Sequence, residues 1–140
     1  MTVVDPGATE ALGPVFKLNR GRASQCRCTG LEHLSLAGNS IGDAGATTLV
    51  HALRHCLALQ TLDLSRNYIY DTGAHALVRL IDRRVVQRTL DLQGNCISQD
   101  GMDALLVAFL SSAGTLELLL RGNPGATDVP RGCPRSQFAC

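Results

Sequence analysis

Leucines recur along this chain in two interleaved rhythms. Leu34, Leu62, Leu90 and Leu118 stand 28 residues apart, and Leu36, Leu64, Leu92 and Leu120 follow each of them by two. Apolar and polar residues alternating at period two mark a short strand with one buried face. Farther along each unit the spacing changes: Leu49 with Leu53, Leu77 with Leu80 and Ile81, and Leu105 with Phe109 fall on one side of a helix. Each unit therefore predicts strand, turn and helix. The strands must be parallel, because every return passes through a helix. One unit alone cannot bury its apolar edge, but stacked neighbours can.

Polar residues keep the same period. Asn39, Asn67, Asn95 and Asn123 follow the second leucine by three. At a strand-to-loop corner the backbone groups leave the ladder and still need partners. An asparagine amide carries both donor and acceptor, so stacked asparagines can bond the loops of their own and adjacent units. Ile41, Ile69 and Ile97 come two residues later as interior plugs, and Gly45, Gly73 and Gly101 come six later. The glycine predicts either close packing or an unusual dihedral at the helix start. Asp43 and Asp71, two before that glycine, are placed to cap the first turn of their own helix.

The pattern LxLxxNxIxxxGxxxLxxxL resembles the leucine-rich repeat of the ribonuclease-inhibitor-like class, over roughly Leu31 to Asn123. That class includes ribonuclease inhibitors, Ran GTPase-activating proteins and the repeat regions of NOD-like receptors. The resemblance implies an α/β solenoid, a short right-handed horseshoe arc with a parallel inner sheet and outer helices. It also implies protein–protein recognition on the concave strand face, without chemistry. The alternatives are regulation of another enzyme, as inhibitor or GTPase activator, or a truncated form of a longer array.

Three regions are expected: a partial repeat or cap with a basic loop over 1–30, the repeats over 31–123, and a disordered Pro- and Cys-containing tail over 124–140. Val3, Asp5 and Gly7 match Ile69, Asp71 and Gly73, so the first unit is expected to lack its strand. After Asn123 the pattern breaks, with Pro124, Pro130 and Pro134 and with Val129 in the glycine column. Leu116 and Leu119 are apolar where earlier units have Gln60 or Arg88 and Asp63 or Asp91. Apolar residues at the terminal repeat imply a covering partner, self-association or a missing repeat.

The expected partner-binding residues form three rows across the strands. One row is His33, Thr61, Thr89 and Glu117, and the next is Ser35, Asp63, Asp91 and Leu119. The third includes Ser65, Gln93 and Arg121. Adjacent strands lie ~4.8 Å apart, which brings Asp63 and Asp91 close. Like charges so near favour a cation between them. Arg66 or Arg88 could supply it from the same sheet, or a partner's Lys or Arg from outside.

Other groupings carry less. His51 and His55 have the i, i+4 spacing of metal ligands with Cys56 alongside, but their repeat equivalents are solvent positions and no third ligand is placed. Arg79, Arg83, Arg84 and Arg88 cluster near one turn and read as a solvated face or an anion patch. No phosphate-cradling glycine motif occurs, and no cofactor or catalytic residue is expected. A formal charge of +1 gives no case for nucleic acid, and no stretch reaches the ~18 apolar residues of a membrane span. Six cysteines, with no secretory pattern at the start, are read as reduced thiols in a cytoplasmic protein, the nucleus being left open. Disulfides at the flanks, or zinc on Cys26, Cys28, Cys133 and Cys140, are the other readings.

Overall fold

A computed structural model describes residues 2–4, 30–112 and 115–127. Five strands form one parallel sheet in chain order: β1 (Thr2–Val4), β2 (His33–Ser35), β3 (Thr61–Asp63), β4 (Thr89–Asp91) and β5 (Glu117–Leu119). Between them run α1 (Asp43–Leu53), α2 (Asp71–Asp82) and α3 (Gln99–Ser111), and a 3₁₀ turn covers Pro124–Thr127. The chain is an α/β leucine-repeat solenoid, with Leu34, Leu62, Leu90 and Leu118 in register across the sheet. The second leucine column, Leu36, Leu64, Leu92 and Leu120, is buried beside the first. Ile41, Ile69 and Ile97 and the helix residues Leu49, Leu77 and Leu105 complete the interior.

The formal strands are only three residues long because the parallel ladder continues into the loops. Leu36 N–H donates to Asp63 O at 2.8 Å, and Gly38 N–H to Ser65 O at 2.9 Å. Beyond that point the asparagines take over. The Asn67 Oδ1 accepts from both Asn39 N–H and Ile41 N–H of the preceding unit, each at 2.9 Å. Its Nδ2 donates back to Leu36 O at 2.9 Å and to its own Leu64 O at 3.0 Å. Asn95 and Asn123 likewise accept from Ile69 N–H and Ile97 N–H and donate to a carbonyl of the preceding unit and one of their own. A buried backbone group without a partner costs about 1–3 kcal/mol, so each amide holds two turns together.

Asp43 and Asp71 act differently from the expectation. Neither caps its own helix: the N-caps of α1 and α2 are Gly42 and Tyr70, with no side-chain capping bond. Asp43 Oδ1 instead accepts from Tyr70 N–H and Gly73 N–H, at the start of the next helix, at 2.8 and 3.0 Å. Asp71 likewise accepts from Ser98 N–H, Ser98 Oγ–H and Gly101 N–H. This forward reach explains the glycine column. A Cβ on Gly73 would lie 2.6 Å from Asp43 Oδ1, and one on Gly101 would lie 2.5 Å from Asp71 Oδ1. Close packing, rather than an unusual dihedral, is the reason for glycine there.

Two expectations at the flanks change. The first strand is not missing: Val3 registers with Leu34, in the leucine column rather than the isoleucine column. The β-branched run Thr2–Val4 suits an extended strand better than a loop corner. The expected basic loop, and Asp5 and Gly7, lie outside the described residues. At the other end, Pro124–Thr127 form a 3₁₀ turn where irregular tail was expected. Proline has no N–H, so the bond to Ile97 O, which Cys96 N–H makes to Ile69 O one unit earlier, comes from Gly125 N–H instead. Residues 128–140 lie outside the description.

Replacing Asn95 by Ala leaves Ile69 N–H without its acceptor and removes one of two amide donors from each of Leu64 O and Leu92 O. We expect a loss of about 2–4 kcal/mol in urea unfolding; a loss below ~1 kcal/mol would mean water replaces the amide. Gly101→Ala should cost about 1–3 kcal/mol. Combined with Asp71→Ala, the total should fall short of the sum of the single changes by at least ~0.5 kcal/mol, read from a double-mutant cycle.

Candidate functional site

The outward sheet face is built by alternation. Leu34, Leu62, Leu90 and Leu118 point inward, so their neighbours on each strand point away from the helices. Registration places His33, Thr61, Thr89 and Glu117 in one row and Ser35, Asp63, Asp91 and Leu119 in the next. Ser65, Gln93 and Arg121 follow where the ladder enters the loops. His33, Glu117 and Arg121 are exposed, and Ser35, Thr61, Asp63, Ser65, Thr89, Asp91, Gln93 and Leu119 are half-buried. The exposed Arg66 and Arg88 flank these rows, one just after β3 and the other just before β4.

The aspartates are not neutralised by either arginine. Asp63 accepts from Ser35 Oγ–H and from Ser65 N–H, each at 3.0 Å. Asp91 accepts from Gln93 N–H at 2.9 Å and from Gln93 Nε2 at 3.3 Å. Neutral donors thus replace the expected Arg66 or Arg88. Arg66 is committed elsewhere, because the residue before each asparagine has a left-handed backbone. Gly38, Gly94 and Gly122 fill that column in the other units, whereas Arg66 has φ +54° there. Its Cγ would sit 3.5 Å from a Cβ on Gly94, so the chain runs over the neighbouring loop.

Burial pushes the Asp91 carboxyl above its ordinary range, and the charges of Asp63 and Glu117 add to that push against the Gln93 hydrogen bonds. Asp71, at the helix side, goes the other way: the Ser98 hydroxyl holds it below the ordinary range, against the opposing effect of burial.

The remaining candidates are dispersed. His51, Arg54, Arg79 and Arg83 line a groove of about 120 Å³ between α1 and α2, with Val50 and Leu80 at its floor. His55 is exposed and accepts from Arg54 Nε at 3.0 Å, while Cys56 is buried. Among the described residues no three His, Cys, Asp or Glu converge as metal ligands. Cys56 and Cys96 stand outside any disulfide, and the other four cysteines lie outside the described residues. No described helix is long and apolar enough to cross a membrane. Leu116 lines a groove of about 310 Å³ with Ile81, Val86 and Gln87. The sequence reading missed Tyr68 and Tyr70, 58% and 54% exposed, on the loop that enters α2. Their signal was present, since Ser40, Gly42, Cys96 and Ser98 hold the equivalent positions.

The family described as "Leucine Rich repeat" matches residues 27–50, 55–78 and 88–106. The chain carries leucine-rich repeats. Repeats of this family typically serve as interaction modules for other proteins. No curated protein matches the chain.

The direction of the Asp91 shift fixes a pH effect. The folded chain binds this proton more tightly than the unfolded chain, so the stabilisation is full below the unfolded carboxyl's range. It is lost as pH rises through the folded value. Asp91→Asn should therefore raise the thermal midpoint at pH 7, and the difference should vanish below about pH 3. Melting curves of both proteins across this range check it, and a lower midpoint for the variant at pH 7 would contradict the assignment.

Proposed function

We propose that this chain is a non-enzymatic recognition module that docks another protein on the outward sheet face, around Asp63 and Asp91. One observation carries the reading: two carboxylates sit in register on adjacent strands and, among the described residues, are served by neutral donors. A partner's Lys or Arg between them would supply the charge that the sheet lacks. Charge-assisted hydrogen bonds are about twice as strong as neutral ones. The surrounding Thr61, Thr89 and Ser35 add short polar side chains, which lose little conformational freedom on binding. The backbone beneath is fixed by the parallel ladder and the asparagine amides, so the surface is preformed, and binding loses correspondingly less entropy.

A full helix of 11 to 13 residues in each unit supports the ribonuclease-inhibitor-like type of repeat. Cys56 and Cys96, as thiols, support a cytoplasmic setting.

The test is a comparative affinity capture from cell lysate with the full chain, the Asp63→Arg plus Asp91→Arg variant, and an Arg83→Glu control on the helical side. Proteins retained by the parent and the control should be lost from the double variant, which should keep its circular dichroism spectrum. A captured set unchanged by the double reversal would remove this face as the docking surface.

A further inference from the structure

We propose that the outer edge of β5 is a homodimer contact, in which this strand pairs antiparallel with β5 of a second copy about a two-fold axis through Leu119. The surface is distinct from the sheet face above and does not depend on that reading.

The edge is open in a defined way. In each inner unit the second leucine and the residue two beyond it turn their N–H groups toward the following strand. Leu36, Leu64 and Leu92 donate to Asp63, Asp91 and Leu119, each at 2.8 Å, and Gly38, Arg66 and Gly94 donate to Ser65, Gln93 and Arg121. β5 is last in the sheet order, so Leu120 and Gly122 turn theirs to a side where no described strand lies. Leu118, in the same alternation, faces that side too. Open edges are templates for pairing, and proteins usually blunt them with lysine, proline or a bulge. From Leu118 to Asn123 there is no lysine or proline.

The side chains say what pairs with it. The rows along β3 and β4 read Thr61–Asp63–Ser65 and Thr89–Asp91–Gln93, with an acid at the centre. The last row reads Glu117–Leu119–Arg121: acid, apolar, base. Reversed against itself about Leu119, it is self-complementary. Glu117 then faces the partner's Arg121, and the same pair forms a second time by symmetry. Leu119 faces the partner's Leu119. The backbone parity agrees, because Leu118 and Leu120 become hydrogen-bonded pairs and Leu119 falls at the closer, non-hydrogen-bonded position. An inner row in this arrangement would set Asp against Asp.

The helical layer changes in the unit that precedes β5. His51 and Arg54 of α1 line the groove toward α2. Their equivalents one repeat on are Arg79 and Asp82, and in α3 they are Val107 and Leu110. Val107 and Leu110 are 65% and 62% exposed. These outer positions are polar or charged on the inner helices, and in α3 they are apolar. A two-fold axis perpendicular to the sheet keeps both α3 helices on the same side of it.

Sedimentation equilibrium of the full chain across the micromolar range tests the proposal. The parent should be a reversible dimer. Glu117→Arg and Arg121→Glu should each weaken it by about tenfold or more, since each creates two like-charge oppositions. The double exchange should restore the dimer to within about threefold of the parent. Both residues are exposed, so the far-UV circular dichroism spectra of all variants should coincide. The proposal is overturned by a monomeric parent, by a dimer indifferent to both reversals, by failure of the double exchange to recover, or by growth past two copies.

Discussion

A backward-reaching amide holds this fold together. Asn67, Asn95 and Asn123 each satisfy backbone donors and acceptors of the preceding turn and an acceptor of their own, at distances of 2.8 to 3.2 Å. The apolar columns supply the bulk of the driving force, but leucine packing alone is non-directional. The amides turn that packing into a register, because only a 28-residue turn sets Asn67 against Ile41 and Asn95 against Ile69 at once. The three-residue strands could not define the stacking by themselves. Extended through the loops, they become part of a continuous polar seam along one edge of the core.

A second seam runs along the helix starts and points the other way. Asp43 and Asp71 reach forward to the next turn, where the absence of a side chain at Gly73 and Gly101 leaves them room. The last unit departs from this scheme. It has Asp100 one residue after the column of Asp43 and Asp71, and it closes on the tight turn at Pro124–Thr127, where Gly125 packs against Ser98. Charge is distributed unevenly around this frame. The sheet face gathers carboxylates at its middle, the groove between α1 and α2 gathers bases, and the last unit is apolar at positions that are polar elsewhere.

Much of the architecture was legible because periodicity is a property of the sequence itself. The leucine, isoleucine and asparagine columns all fell where their spacing put them, and so did the register of Asp63 with Asp91. Contacts between units were harder to read. Asp43 sits beside the first turn of its own helix, so a local cap was the natural expectation, and only the stacking distance shows that Tyr70 and Gly73 are the nearer donors. Arg66 was expected to face the aspartates by proximity in sequence. The left-handed backbone demanded by its column carries its side chain over Gly94 instead. The same column identifies the cause, since three of its four members are glycine. Val3 was misplaced because three aligned residues at the start of the chain outweighed the β-propensity of Thr2–Val4.

The two seams also set an order for assembly on the ribosome. Ile41 finds its acceptor on a side chain 26 residues downstream, and Ile69 and Ile97 wait for theirs over the same separation. At translation speeds of about 5–20 residues per second, that delay is about 1 to 5 seconds for every turn. A nascent coil emerging from the exit tunnel therefore always trails one unfinished winding, with its amides still wet, until the following winding has been synthesised.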